Sequence, residues 1–295
     1  MPPSAATMAM TRPELSSAAD QTALVPSTLP NSTSAVFAQD GSSQLRQQLL
    51  IEPVGPTSGQ RPRGRVIGAP AVTLSTPSGY GASFGQVFAG LSLINRGRGN
   101  NNADGSATVG FGLGDPRRAV GLDVAVNVIS LSNSNGQDSF AGSGNVGFKL
   151  HRVLPGEIAV AVGWENALAW GDARNADSSV YGVVSRAFPL QPNNYRNPMP
   201  LILSVGVGGG RFRSEQAILD RRGGVGVFAS AGLQLSPQIS LLANWTGQDL
   251  NVGASFIPFP EIPFSLTLSA ADLTGSAGDG ARFALGLGYG TRFNF

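Results

Sequence analysis

From Ser78 to the end of the chain, apolar residues alternate with small or polar ones at a period of two. The clearest run covers 120–128. There Val120, Leu122, Val124, Val126 and Val128 fall on one side, and Gly121, Asp123, Ala125 and Asn127 on the other. Successive strand side chains point to opposite faces, so the run predicts a strand with one continuous aliphatic face. Ile158, Val160, Val162, Trp164 and Leu168 oppose Ala159, Ala161, Gly163, Glu165 and Ala167 in the same way. Val225, Val227, Ala229, Ala231, Leu233 and Leu235 oppose Gly226, Ser230, Gly232, Gln234 and Ser236. Shorter examples follow around Leu241, Val252 and Leu266. A soluble sandwich would put Lys, Glu, Thr and Arg on its non-core face. Glycine and alanine there instead predict apolar residues turned outward to lipid and small ones turned inward, the pattern of a membrane barrel.

Twelve strands fit, approximately at 83–94, 103–114, 117–131, 139–152, 156–170, 178–188, 198–213, 223–236, 238–248, 249–258, 261–273 and 281–295. An even count puts both ends of the sheet on one side, so long outer loops should alternate with tight inner turns. Most connections comply, including the turn at Asp115-Pro116 and the one at Pro155-Gly156. Two do not: the stretch from Pro189 to Tyr195 is long for an inner turn, and Gln248-Asp249 is short for an outer loop. Ten or fourteen strands therefore stay open. In the last strand Phe283, Leu285, Leu287, Tyr289, Phe293 and Phe295 share one parity. An amphipathic final strand ending on an aromatic residue resembles the signal by which bacterial outer-membrane barrels are recognised, which makes the barrel-assembly machinery an expected partner.

Composition narrows the class. The 295 residues include 40 Gly and only 13% charged residues, against about 25% in soluble domains. No stretch reaches the roughly 18 apolar residues of a spanning helix. Within hydrocarbon every backbone polar group must be paired inside the protein, so a closed barrel is the other membrane solution. Residues 1–77 differ: rich in Pro, Ser, Ala, Thr and Gln and without a period, they predict a flexible tail with one short helix at 42–50. An export signal is not clearly visible there, although Val36-Phe37-Ala38 resembles a cleavage site. The expected architecture is all-β, a single antiparallel transmembrane up-and-down barrel over 78–295 behind that tail. The expected location is the outer membrane of a Gram-negative-type bacterium.

Candidate chemistry is sparse. Cysteine is absent, and His151 is the only histidine, so thiolate and multi-histidine metal centres are excluded and no cofactor is expected. A net charge of +2 with a single lysine, Lys149, gives no nucleic-acid surface. His151 shares parity with Lys149 and is expected as a solvated lumen residue near the inner rim; the competing role is that of a lipase-type Ser–His pair. Gly206-Val207-Gly208-Gly209-Gly210 superficially resembles a phosphate loop but lies within a strand. A bulge there would turn Arg211 and Arg213 inward and Phe212 outward. Parity places Asp123, Lys149, Glu165, Arg186 and Arg282 inside, with Arg292 close to the rim. A charge facing a narrow interior must be paired or wet. Either Asp123 and Glu165 pair with Arg186 and Arg282 as a plug-like network, or these groups line a water-filled path. Trp164, Trp170, Tyr181, Trp245 and Tyr289 suit interfacial girdles.

Segments around Val160-Ala161-Val162-Gly163, Val180-Tyr181-Gly182-Val183-Val184-Ser185-Arg186-Ala187-Phe188 and Leu203-Ser204-Val205-Gly206-Val207-Gly208, with Gly210-Arg211-Phe212, resemble YjbH-type exopolysaccharide-associated outer-membrane barrels. Those proteins are longer and lipidated on a cysteine that this chain lacks, and Arg186 stands where they carry lysine. Residues 66–295 also resemble cyanobacterial outer-membrane barrels, through Gly121-Leu122, Asn244-Trp245-Thr246-Gly247-Gln248-Asp249-Leu250-Asn251 and Ala271-Asp272-Leu273-Thr274-Gly275. The resemblance implies a non-enzymatic barrel, either a passive narrow channel or a structural component linked to export of an envelope polysaccharide. An outer-membrane lipase and a soluble β-rich binding protein are the alternatives.

Overall fold

The computed structural model describes residues 69–96, 103–129, 142–194, 196–275 and 280–293. The helix expected at 42–50 and Phe295 lie outside them. Twelve strands are present: β1 (Gln86–Ile94), β2 (Asp104–Gly114), β3 (Gly121–Ile129), β4 (Gly144–Leu154), β5 (Ile158–Trp170), β6 (Ser179–Pro189), β7 (Pro200–Gly208), β8 (Gly226–Ser236), β9 (Ile239–Trp245), β10 (Leu250–Phe256), β11 (Phe264–Ala271) and β12 (Arg282–Arg292). Each pairs antiparallel with the next, and β12 pairs with β1 from Gln86↔Arg292 to Ile94↔Ala284, closing the barrel. Both connections that broke the loop alternation are real. Residues 190–199 fold back through Leu190 N–H to Met199 O (3.2 Å) and Gln191 N–H to Pro198 O (2.9 Å). Residues 246–249 make a tight turn in which Asp249 N–H donates to Thr246 Oγ1 at 3.0 Å. Neither hides another strand.

β1 begins and β12 finishes at one end of the barrel, called here the terminus end. The opposite, loop end carries the connections 171–178 and 209–225, the last holding the short helix α1 (Glu215–Leu219), capped by Ser214. Cross-strand pairing builds one outward row of apolar residues, Leu93–Leu285–Leu268–Ala254–Leu241–Leu233–Leu201–Phe188, from β1 round to β6. The inward row beside it reads Ser92–Gly286–Thr267–Ser255–Ser240–Gln234. Among the described residues no second protein layer covers the outward faces: Leu150, Val162, Leu168, Val205, Val227 and Phe283 are all exposed. β5 carries two extra residues opposite the Val146–Phe148 step of β4, and Asn166 there has φ 54°. Because the insertion is even, Trp164 and Leu168 keep the outward parity expected of them.

A barrel of about eight strands is just filled by its own side chains. Twelve strands with glycine, serine and alanine inside leave a wider hole, and the chain fills it with itself. Residues 70–82 run through the lumen and are buried almost throughout. They lie beside β9 and β10 at the terminus end, where Ala71 N–H donates to Ser255 Oγ (3.0 Å) and Ser240 Oγ donates to Ala71 O. The strap then rises to Ser75, reached by Asn244 and Asn251 near the loop end of the same strands, each Nδ2 at 2.9 Å from its Oγ. It turns there, Thr73 Oγ1 donating to Thr76 O at 2.8 Å. It descends along β5, β6 and β4, passes β3 and β2 and joins β1, with Phe84 N–H donating to Gly114 O at 2.7 Å. The tail expected to reach residue 77 thus has its last eight residues, 70–77, inside the barrel. A segment packed on all sides shows no alternation, so periodicity could not see it.

Glycines let the strap approach the wall. A Cβ on Gly232 of β8 would sit 2.1 Å from Val72 O, and one on Gly79 of the strap 2.2 Å from Ala159 O. Gly232→Val is expected to expel the strap at an overpacking cost of about 1–3 kcal/mol while the barrel stays closed. Limited proteolysis should then cut within 70–82 in the variant alone, with both proteins keeping heat-modifiable gel migration. Equal protection of the two segments would contradict this.

Candidate functional site

The lumen holds three buried ionic clusters, two of them in contact with the strap, and each draws on a polar residue at an inward position of a strand. In the first, Asp123 of β3 and Lys149 of β4 are directly paired across the sheet, so their side chains share one lumen position. Lys149 Nζ lies 3.0 Å from Asp123 Oδ2, and both side chains are 1% exposed. Two residues further along β4, His151 Nε2 lies 3.2 Å from Asp123 Oδ1. The strap supplies the remaining partners: Lys149 Nζ donates to Tyr80 O (2.5 Å), and Ala82 N–H donates to Asp123 Oδ1 (2.9 Å). Tyr80 Oη reaches past them to Glu157 O at 2.6 Å.

The second cluster lies toward the loop end. Glu165 follows Trp164 at inward parity on β5, and Arg211 grips it at both carboxylate oxygens, Nε–Oε2 at 2.6 Å and Nη2–Oε1 at 3.2 Å. Bidentate pairing of this kind fixes geometry as well as charge. Arg211 Nη1 donates to Ser75 O of the strap at 2.9 Å, and Gln248 Nε2 donates to Arg211 O at 2.5 Å. The third cluster joins Arg282 of β12 to Asp249 of the 246–249 turn, Nη2–Oδ2 at 3.1 Å. Neutral polar groups complete the lining. Asn127 Nδ2 donates to Asn145 Oδ1 (2.7 Å), and Ser185 Oγ accepts from Gly79 N–H (2.8 Å).

Of the charges expected inside, the structure buries Asp123, Lys149, Glu165 and Arg282. Arg292 is exposed at the last position of β12. Arg186 is the correction. It points outward on β6, its guanidinium 4.8 Å over the Phe188 ring, because Tyr181, Val183, Ser185 and Ala187 take the inward face. Val183 and Val184 are both apolar, so parity in β6 was ambiguous at the sequence level. The expected pairing also changes: Asp123 takes Lys149 and Glu165 takes Arg211, with Asp249, Tyr80 and Ser75 as partners that periodicity did not single out. Asp249 was visible only as half of an oddly short loop.

Three further expectations are corrected. His151 faces the lumen but is buried under Gly81 rather than solvated. Tyr181 belongs to no outer girdle. It packs inside, edge-on to Phe212 and Phe228 at centroid distances of 5.6 and 6.1 Å, while Trp164, Trp245 and Tyr289 do lie exposed on the outer face. Phe212 is turned inward, stacked on Phe228 at 4.4 Å. Strand β7 ends at Gly208, and 210–212 form a single 3-10 turn across the lumen mouth, so strand parity no longer governs that residue.

Chemically, this arrangement holds and neutralises. Among the described residues the ring of His151 makes its hydrogen bond to Asp123 and to no serine hydroxyl. Among the described residues no three His, Asp or Glu gather as metal ligands. No family model matches the chain, and no curated protein does either. Several solved barrels are similar in shape. The KdgM porin matches 71% of this chain and 99% of its own at 11% identity and a TM-score of 0.41. The COG4313 outer membrane channel from Pseudomonas putida F1 matches 71% and 96% at 10% identity and a score of 0.38. The Acinetobacter baumannii outer membrane protein Omp33 matches 70% and 97% at 12% identity and 0.36. At these scores and identities the functional reading is left to the barrel's own residues.

Breaking a buried pair leaves an uncompensated charge. Asp123→Asn should destabilise the barrel by about 3–5 kcal/mol, and Asp123→Leu combined with Lys149→Met should recover most of it. Urea unfolding in detergent micelles, followed by gel migration, measures both. A double variant as unstable as the single one would show that the pair is not the unit.

Proposed function

We propose that the chain is a non-enzymatic outer-membrane barrel acting as a passive channel that its own strap keeps shut. Placement in a membrane is supported by the uncovered aliphatic outer face and by the closed sheet, which leaves no backbone edge to hydrocarbon. The same uncovered face speaks against a soluble β-rich protein, since an apolar surface this extensive calls for lipid or a partner. The terminus end would face the periplasm and the long loops the exterior.

One observation carries the channel reading. Much of the contact between strap and wall is polar, through Ser75, Ser185, Ser240, Ser255, Asn244, Asn251, Asp123, Lys149 and Arg211. Water can replace such hydrogen bonds at a net cost of about 0.5–1.5 kcal/mol each. A purely structural plug would be better served by an apolar seal. With the strap displaced, the wall left behind is lined by serine, asparagine, glycine and paired charges, a surface that hydrates readily. The resemblance of residues 160–212 to YjbH-type barrels supports envelope glycans as the first solute class to try. The outward row Phe283, Leu285, Leu287, Tyr289 and Phe293, with Phe295 beyond the described residues, is proposed as the recognition element for barrel assembly.

The chain has no cysteine, so a single disulfide can lock the strap. Ser75→Cys with Asn244→Cys joins two side chains now in hydrogen-bond contact. In planar bilayers the oxidised pair should be silent, and reduction, or Gly232→Val in a cysteine-free background, should give discrete conductance steps. Silence in all three states across a range of salts would leave the barrel a wall component.

A further inference from the structure

Charge on the outward faces of the described strands is confined to two residues, Arg152 of β4 and Arg186 of β6. Every other charged residue within these strands points into the lumen or stands at a strand end. Chance would not be expected to put the two outward charges in one sector with one sign. Pairing locates them: Arg152 opposes Val160, which opposes Val184, and Ile158 opposes Arg186. The two arginines are thus separated by β5 and offset by two residues, about 12 Å between Cα atoms at ordinary strand spacing and rise. Two extended arginine side chains span such a gap and can close on one phosphate or on two neighbouring ones.

Neither guanidinium has an acidic partner among the described residues; Arg186 has only the face of Phe188. The acidic groups nearby are already engaged. Turn 115–120 is pinned beside β4 by Val153 N–H donating to Pro116 O at 2.8 Å. There Arg117 lies 3.5 Å from Glu157, and Arg118 lies 3.6 Å from Asp115. Four arginines against two carboxylates leave the sector positive at the terminus end. Leu154, Ile158, Val160 and Leu190 supply an apolar surface beneath and beside it.

A guanidinium on a lipid-facing wall is poorly solvated and favours an anion, and its planar fork fits a phosphate at two oxygens. We propose that this sector is a binding site for an anionic phospholipid of the leaflet at the terminus end. Arg152 and Arg186 clasp the headgroup phosphate, while an acyl chain lies along Ile158 and Val160. The proposal rests on the membrane reading above.

The full chain, refolded into vesicles of phosphatidylethanolamine with a minority of phosphatidylglycerol, tests it. After flotation and gentle detergent extraction, native mass spectrometry counts the lipid that stays bound. Wild-type protein should carry phosphatidylglycerol above its bulk fraction. Arg152→Gln with Arg186→Gln should lose about tenfold of it. Arg196→Gln with Arg221→Gln, which removes the same charge from exposed connections, should retain it. Retention by the first double variant, or equal loss by the second, overturns the site. Protein that floats with heat-modifiable migration but shows no enrichment also overturns the site and leaves the membrane reading standing. Protein that never floats overturns both.

Discussion

A closed sheet satisfies the hydrogen bonds of its wall and in doing so creates a volume that something must occupy. That constraint organises this molecule. With twelve strands the interior exceeds what inward side chains can fill, and many of the inward residues here are glycine, alanine or serine. The gap is closed by 70–82, a strap without regular structure of its own. A buried strap of that kind carries backbone N–H and C=O groups that need partners. The wall provides several of them from side chains: Ser255 and Ser240 for Ala71, Arg211 for the carbonyl of Ser75, Ser185 for Gly79, Lys149 for Tyr80, Asp123 for Ala82. The glycines and serines of the wall therefore do two things together. They make room, and they offer hydrogen bonds.

The buried charges follow the same logic. Asp123 and Lys149 are neighbours across two strands, so the wall itself brings the pair together, and the strap adds donors and acceptors to it. Glu165 is positioned by the inward parity of β5 and Arg211 by the turn that follows β7, and the two meet above Ser75. Such ion pairs are expensive to desolvate and add little net stability over apolar residues of similar size. Their value lies in specifying one seat for the strap. They also leave behind a neutralised polar lining when it moves, and this links the packing of the interior to the proposed channel. On the outside the balance reverses: apolar residues need no partner, and the two arginines that break the pattern have no acidic partner among the described residues.

Strand existence and order were readable because alternation reports directly on a wall with two unlike sides. The final strand as far as Arg292, the run 120–128 and the strands around Leu241 and Leu266 all lie where their period puts them. The reading failed wherever a residue's surroundings were not those of a simple wall. Val183 and Val184 defeated parity in β6 and sent Arg186 to the wrong side. Period two predicts one strand over 198–213, although the chain leaves the sheet after Gly208 and brings Phe212 back over the lumen. Residues 70–77 looked like tail because proline, serine and threonine without a period are common to loops and to a strap enclosed on every side.

The amino-acid sequence by itself determined the closed all-β wall, since period-two alternation with glycine opposite valine has one stable outcome when neither face is a soluble core. It also determined which strands carry inward charge at Asp123, Lys149 and Glu165. Only the tertiary structure decided that the lumen is occupied, that Lys149 and Arg211 rather than Arg186 neutralise the carboxylates, and that Arg152 and Arg186 share an outer sector. Those facts depend on strand register around a closed ring and on a strap that meets strands on several sides of it. Contacts between residues as distant as Ala71 and Ser255 leave no trace in any local pattern.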